Sequence, residues 1–306
     1  MEITQLLDQF CEYSRFHRGY LPDTIARYRT GIGLFCRSTG ARTIGQCSEQ
    51  LVRQFFHEGS AKRNWNPATF RTYHKSLVVF FRWCVTQRYL SSNPVDGMEL
   101  PRLRKHLPQR LTADESEALL NRIANYPYGH PYHRTRDHAL IATLLYAGLR
   151  RRELLRLQVR DIDVEHRTVF VRQGKGGKDR FVPMHWHLAA TLTALLETRR
   201  AAGKTCPELF TAVRRDAGMS VNALRKVFQR LARISGRPLR PHQLRHTFAT
   251  LMLEGGCDIF TLSQMMGHSD LRTTAIYLGA SVHHMQAQMA KHPLDGGGPS
   301  ARPSDR

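Results

Sequence analysis

The sequence predicts a mainly α-helical protein with one small β-sheet, divided between two domains. Three observations predict it. Apolar residues recur at helical spacing through most of the chain. The period switches to alternation only across RTVFVRQGKGGKDRFVPM, residues 167–184. A basic stretch with three prolines, SSNPVDGMELPRLRKHLPQR (91–110), interrupts the apolar pattern, and 306 residues are enough for two domains.

Residues 1–95 read as a helical domain. Ile3, Leu6, Leu7, Phe10 and Tyr13 predict a first amphipathic helix. Ile25, Tyr28, Ile32 and Phe35 predict a second, entered through Pro22 and Asp23. Leu51, Val52, Phe55 and Phe56 predict a short third. Phe70, Tyr73, Leu77, Phe80, Phe81 and Cys84 predict a fourth, started by Asn66-Pro67. Arg27, Arg29, Lys62, Arg63, Arg71, Lys75 and Arg82 occupy the remaining faces, which for any one helix is by default a solvated surface. Residues 96–110 form an expected interdomain linker.

The second domain is expected over 111–291. Thr112 and Glu115 have capping-box spacing. Asp137 to Leu149 is a strongly apolar helix closed by Gly148, with Arg150 directly after it. A further helix carries Glu153, Leu154, Leu155 and Leu157. Strands at 168–172 and 180–184 form a hairpin around a loop holding Lys175 and Lys178. Helices follow near 187–202 and 219–235. Pro241 starts the next helix, because its missing N–H has no partner in a first turn. In that helix Leu244, Phe248 and Leu251 are expected to be buried, while His242, Arg245 and His246 share another face. Another helix starts near Asp258, buries Ile259, Leu262 and Met266, and stops at Gly267. A third starts after Ser269 and carries Tyr277 near its end. A short helix is expected at 281–291, and residues 292–306 are too polar to pack and read as a disordered tail.

Charge narrows the partners. The formal net charge is +21. Residues 1–100 contribute 13 Lys and Arg against 8 Asp and Glu, and the rest contributes 33 against 17. Excess positive charge spread through folded segments points to a nucleic acid rather than to a membrane surface, where one amphipathic helix or tail usually concentrates it. No apolar run approaches the length of a bilayer span. The opening MEITQLLDQF lacks a basic n-region, so no secretory signal is expected. Cysteines 11, 36, 47, 84, 206 and 257 lack metal-ligand spacing and read as reduced core residues of a cytosolic protein.

The candidate chemistry lies in Arg150, Lys175, His242, Arg245, His268 and Tyr277, with Glu153 and His246 in support. Taken singly, each has an ordinary structural explanation. Arg150 reads as surface, Lys175 as a turn lysine, His268 as a cap and Tyr277 as a core aromatic. GKGGK lacks full P-loop spacing. His242 and His246 resemble half a zinc site, but HExxH is absent and no acid or thiol gathers nearby, so no metal is expected. Taken together, two arginines and two imidazoles are suited to a single phosphodiester. A tyrosine hydroxyl supplies a nucleophile, and a loop lysine a general acid.

AGLRRREL (147–154), QGKGGK (173–178), HQLRH (242–246), GHS (267–269) and the nine-residue step to Tyr277 resemble the tyrosine recombinase, or phage integrase, family, particularly its Xer-type and mobile-element members. Residues 1–95 resemble its helical core-binding domain more loosely. The resemblance implies a SAM-like helical domain followed by an α+β catalytic domain, with all six active-site positions matched. Tyr277 would form a 3′-phosphotyrosyl link, and Arg150, Arg245 and His268 would stabilise the phosphate. His242 would aid proton removal, and Lys175 would protonate the leaving 5′-oxygen. The partners implied are double-stranded DNA with specific recombination sites and further recombinase protomers. Four protomers would exchange strands through a Holliday junction. No cofactor, ATP or metal would be required, and the location would be the bacterial cytoplasm, on the nucleoid. The competing readings are a type IB topoisomerase, a non-catalytic DNA-binding protein on the same fold, and a metallohydrolase built on His242 and His246.

Overall fold

The structure is a computed structural model that describes residues 1–103, 109–172, 179–268 and 272–278. The chain divides into two compact units, Met1–His106 and Leu107–Arg306.

The first unit packs α1 (Ile3–Phe16), α2 (Pro22–Thr39), α3 (Glu49–Ala61) and α4 (Pro67–Thr86), with a 3-10 turn at Ile44–Gln46. The helix starts follow from the sequence. Pro22 and Pro67 occupy first turns, where no N–H is missed. The Ser48 hydroxyl accepts from the Leu51 N–H at 3.2 Å, and Asn66 Oδ1 accepts from the Thr69 N–H at 2.8 Å. The apolar stripes then meet. Ile3, Leu6, Phe10, Ile32, Phe35, Val52, Phe55, Leu77, Phe80 and Phe81 are buried. Phe35 meets Phe55 and Phe81 edge-on, the favoured aromatic geometry. Leu7 and Tyr13, expected on the α1 stripe, flank this core and are partly buried.

The second unit contains α5 (Ala113–Asn125), α6 (Pro131–Ala147), α7 (Arg151–Arg156), β1 (Ile162–Asp163), β2 (Thr168–Val171), β3 (Arg180–Pro183), α8 (Trp186–Ala201), α9 (Val221–Ser235), α10 (Pro241–Glu254), α11 (Ile259–Met266) and α12 (Arg272–Leu278). The expected capping box is formed. Glu115 N–H donates to Thr112 Oγ1 at 3.1 Å, and Thr112 N–H donates to Glu115 Oε2 at 2.8 Å. The expected hairpin is β2–β3, antiparallel, with Val169 opposite Val182. The short strand β1, not expected from the sequence, pairs on the other side of β2.

Helix α6 is the centre of this unit and packs against α5, α8 and α10. It is buried nearly all round, which is why its apolar residues lack a clean stripe. It starts at Pro131, six residues before the expected Asp137, with the His130 ring capping the Tyr132 N–H at 3.1 Å. The polar residues before Asp137 carry no apolar pattern, and the charges here are neutralised partly by a residue far away in sequence. Asp137 is fully buried. It accepts from Arg136 Nε and Nη2 at 3.0 and 2.8 Å, and from Arg230 of α9.

Two core assignments change. Leu251 and Ile259, expected to be buried, are half-buried, and Leu253 is buried instead. Helix α10 is held between α6 on one side and α11 and α12 on the other. Its buried arc is therefore wider than one stripe, and Leu251 falls at its edge. The expected 281–291 helix and 292–306 tail, and residues Lys175, Lys178 and Ser269, lie outside the described residues. Among the described residues no helix is long and apolar enough to cross a membrane.

Removing the Asp137 carboxylate strands the buried guanidinium of Arg136 and unpairs the half-buried one of Arg230. Asp137→Ala is expected to destabilise the second unit by about 3–5 kcal/mol, read as a lower denaturant midpoint. An unchanged midpoint contradicts this account.

Candidate active site

The site is assembled around the C-terminal end of α11. The last carbonyls of a helix have no partner within it and carry the negative end of its dipole. Here three consecutive ones each accept from a different arginine. Arg180 Nε donates to Met265 O at 2.7 Å, Arg245 Nη2 to Met266 O at 2.8 Å, and Arg150 Nη2 to Gly267 O at 2.7 Å. Gly267 makes this possible. It takes φ +62, and a Cβ there would lie 2.8 Å from the Arg180 guanidinium.

Each arginine arrives from a different element. Gly148 closes α6 at φ +58, and its Cα faces the Phe248 ring so closely that a Cβ would lie 2.1 Å from it. The chain then turns so that Arg150 caps α7. Glu153 accepts from the Arg150 backbone N–H at 2.8 Å and from its Nη1 at 2.7 Å. Glu153 also accepts from Arg180 Nη1 at 3.1 Å and Nη2 at 2.9 Å. Burial alone would raise this carboxyl. Hydrogen bonds and charge from Arg180, and hydrogen bonds from Arg150, outweigh that and hold it at about 2.

Arg245 is 4% exposed. Its Nη1 donates to Gly148 O, and its Nη2 meets His268 Nε2 at 2.9 Å. A guanidinium has only donors, so His268 Nε2 accepts and carries no proton. The other ring nitrogen, Nδ1, then donates to Thr274 Oγ1 at 2.7 Å. Burial first, and then the Arg150 charge, lower Arg245 to about 10, which leaves it cationic at neutral pH.

Tyr277 is 3% exposed and packs with Phe248, Ala249, Leu253, Leu262 and Met266. Its hydroxyl lies 2.9 Å from His246 Nδ1. Burial raises the phenol, with Arg245 and Arg150 pulling it partly back. His246 is lowered by burial and then by His242 and Arg245, so it is neutral and able to accept. His242, one turn earlier, is exposed at the rim.

The structure therefore links Arg150, Glu153, Arg245 and His268 through direct contacts, pairs His246 with Tyr277, and sets the Tyr277 phenol within the electrostatic reach of Arg245 and Arg150, with His242 also on α10. Lys175 is the one candidate outside the described residues. The partner of the Tyr277 hydroxyl is His246 rather than His242, the group the sequence reading had used for proton removal. Arg180 and Thr274 were not picked out from the sequence. Arg180 did leave a signal. It alternates inward with buried Val182, while Phe181 between them is exposed, and a charged residue on a buried strand face needs a partner. Among the described residues no group of three His, Cys, Asp or Glu side chains is placed to hold a metal.

Comparison with known proteins agrees with this architecture. Residues 109–284 match the phage integrase family, and residues 6–90 match the N-terminal SAM-like domain of phage integrases. The chain belongs to the phage integrase family. It is 34% identical over 298 residues to tyrosine recombinase XerC 2 of Ralstonia nicotianae, which covers 90% of this chain and 82% of that protein. It is 30% identical over 296 residues to tyrosine recombinase XerC of Escherichia coli O127:H6, covering 94% and 96%. Among solved structures, the Tn1549 transposon integrase in complex with transposon right end DNA has a TM-score of 0.73 at 21% identity, covering 95% of this chain and 99% of that one. The XerA recombinase has a TM-score of 0.53 at 25% identity, with the same coverage.

Burial dictates how the second unit responds to acid. His133, His138 and His246 are all held below their ordinary value near 6.5, burial being the first cause at each. Each binds a proton more weakly folded than unfolded. Their contribution to stability is complete above the unfolded value and is lost as pH falls below it. The denaturant midpoint is expected to drop between about pH 7.5 and about pH 5.5. A midpoint that rises over that interval would sink this account.

Proposed function

We propose that Tyr277 is the nucleophile of this tyrosine site-specific recombinase, and that Arg150, Arg245 and His268 hold the phosphate it attacks. The observation that carries the reading is the convergence of two guanidiniums, the His268 ring and the Tyr277 hydroxyl around the end of α11. Preorganised cations stabilise charge as it spreads over the phosphoryl oxygens and need no reorganisation during the step.

The Tyr277 oxygen attacks phosphorus, and the bond to the 5′-oxygen breaks. The product is a 3′-phosphotyrosyl ester and a free 5′-hydroxyl. The phenol proton passes to a base, and the 2.9 Å contact supports His246 as its first acceptor. His242, at the rim beside Arg245, then faces the phosphate. Lys175 is assigned the proton given to the leaving 5′-oxygen. A 5′-hydroxyl from the exchanged strand reverses the step and frees Tyr277. One phosphoester replaces another throughout, so ATP is not consumed, and the arginines supply the positive charge that a metal would otherwise provide.

The substrate is double-stranded DNA carrying specific recombination sites. We assign four protomers to two such sites, exchanging strands in pairs through a Holliday junction. The net charge of +21 suits that partner, and the DNA places the working location in the cytoplasm, on the nucleoid.

Tyr277→Phe is expected to bind DNA with nearly unchanged affinity and to yield no denaturant-resistant protein–DNA adduct. An adduct formed by this variant refutes the assignment of the nucleophile. Binding by the wild-type protein is expected to weaken steeply with salt, with a slope near −0.9 for every phosphate neutralised. A salt-independent affinity contradicts the electrostatic reading.

A further inference from the structure

The strand that leads away from the hairpin loop contributes a residue with no place in the scheme above. Arg180, the first residue of β3, has a side chain only 10% exposed. Each of its three nitrogens donates into the site's frame. Nε donates to Met265 O, while Nη1 and Nη2 donate to Glu153. Its guanidinium fills the space a Cβ on Gly267 would need. Glu153 in turn holds Arg150 through both its backbone N–H and its Nη1. Arg180 thus joins three elements, β3, α7 and the end of α11.

We propose that Arg180 is a positioning residue for strand cleavage, orienting Arg150 through Glu153 and fixing the α11 carbonyls on which Arg150 and Arg245 rest. This deepens the recombinase reading and rests on it. A guanidinium suits the role because its planar fork bonds a carboxylate with two donors while its Nε reaches a third acceptor. Lysine keeps the charge but cannot span Glu153 and Met265 O in the same geometry. Glutamine loses both.

Glu153 is the group through which the effect is transmitted. It faces Arg150 from its own helix, Arg180 from β3 and, at 4.0 Å, Arg245 from α10. Buried among these cations it stays ionised and grips Arg150. Without Arg180, burial acts on a carboxylate that has lost one of its two hydrogen-bonding arginines, and protonation then releases Arg150.

The test uses the full-length protein and the duplex recovered by sequencing DNA trapped covalently on the wild-type protein in cells, nicked beside the cleaved phosphate. Rate of adduct formation, DNA affinity and melting temperature are measured for wild type, R180K and R180Q between about pH 6 and about pH 9. R180Q is expected to cleave between about tenfold and about 100-fold more slowly, the range in which small misplacements of reacting groups fall. Its affinity should stay within about twofold of wild type, and its deficit should deepen as pH falls. R180K is expected to fold and to give an intermediate rate with little added pH dependence. Should R180Q fail to fold, R180K decides alone, and a reduced rate at wild-type affinity and melting temperature supports the role. R180K at the wild-type rate overturns the proposal, as does a loss in R180Q that merely tracks lost affinity. Absence of any adduct with the wild-type protein is a different failure, because it removes the recombinase reading itself.

Discussion

Three carbonyls at the end of one short helix fix the arginines of the candidate site. Met265, Met266 and Gly267 would leave their oxygens unsatisfied in a buried turn, which folded chains rarely tolerate. Arg180, Arg245 and Arg150 satisfy them in turn. The need is therefore mutual. The helix end requires donors, and the guanidiniums require acceptors that fix their planes. Like charges brought this close repel, so the arrangement stands only because Glu153 and the carbonyl dipoles lie between them.

The same device recurs away from the site, which marks it as a structural habit of the second unit. Arg199 is 3% exposed and donates to the carbonyls of Cys206, Glu208 and Leu209. Arg136 donates to Thr211 O while pairing with Asp137. Irregular backbone between helices is stabilised by arginines rooted in them, because one planar group can serve two or three acceptors at once. What distinguishes the α11 cluster is that two of its three arginines sit beside a histidine and a tyrosine. There a phosphate oxygen can compete for the same donors.

Much of this was legible beforehand. Helical spacing identified α1 to α4 and α10 to α12. Prolines and capping residues placed their starts, and Gly148 and Gly267 their ends. The order and spacing of Arg150, His242, Arg245, His268 and Tyr277 pointed to the candidate site. Pairwise contacts at long sequence separation stayed hidden. His246 and Tyr277 are 31 residues apart, and Arg150 and Gly267 are 117 apart. No local pattern states that the hydroxyl turns to His246 rather than His242, since both project from the same helix one turn apart. Nor does a local pattern place the start of α6 at Pro131, six residues before the expected Asp137. The Arg136–Asp137 pair is completed by Arg230, from a distant helix.

The burial of Tyr277 bears on how the reaction is held in check. A phenol buried and pushed above its ordinary pKa stays protonated and is a weak nucleophile. Two nearby guanidiniums act the other way, since each favours the phenolate. Desolvation is the larger effect in the protein alone. A phosphate arriving at Arg150 and Arg245 would cancel part of their charge, and taken alone would make the phenol harder to ionise. With Tyr277 as the proposed nucleophile, proton loss toward His246 would accompany formation of the bond to phosphorus. On that proposed assignment, burial would keep the phenol quiet until DNA is seated. The control lies in the balance between a buried oxygen and the arginines held by α11.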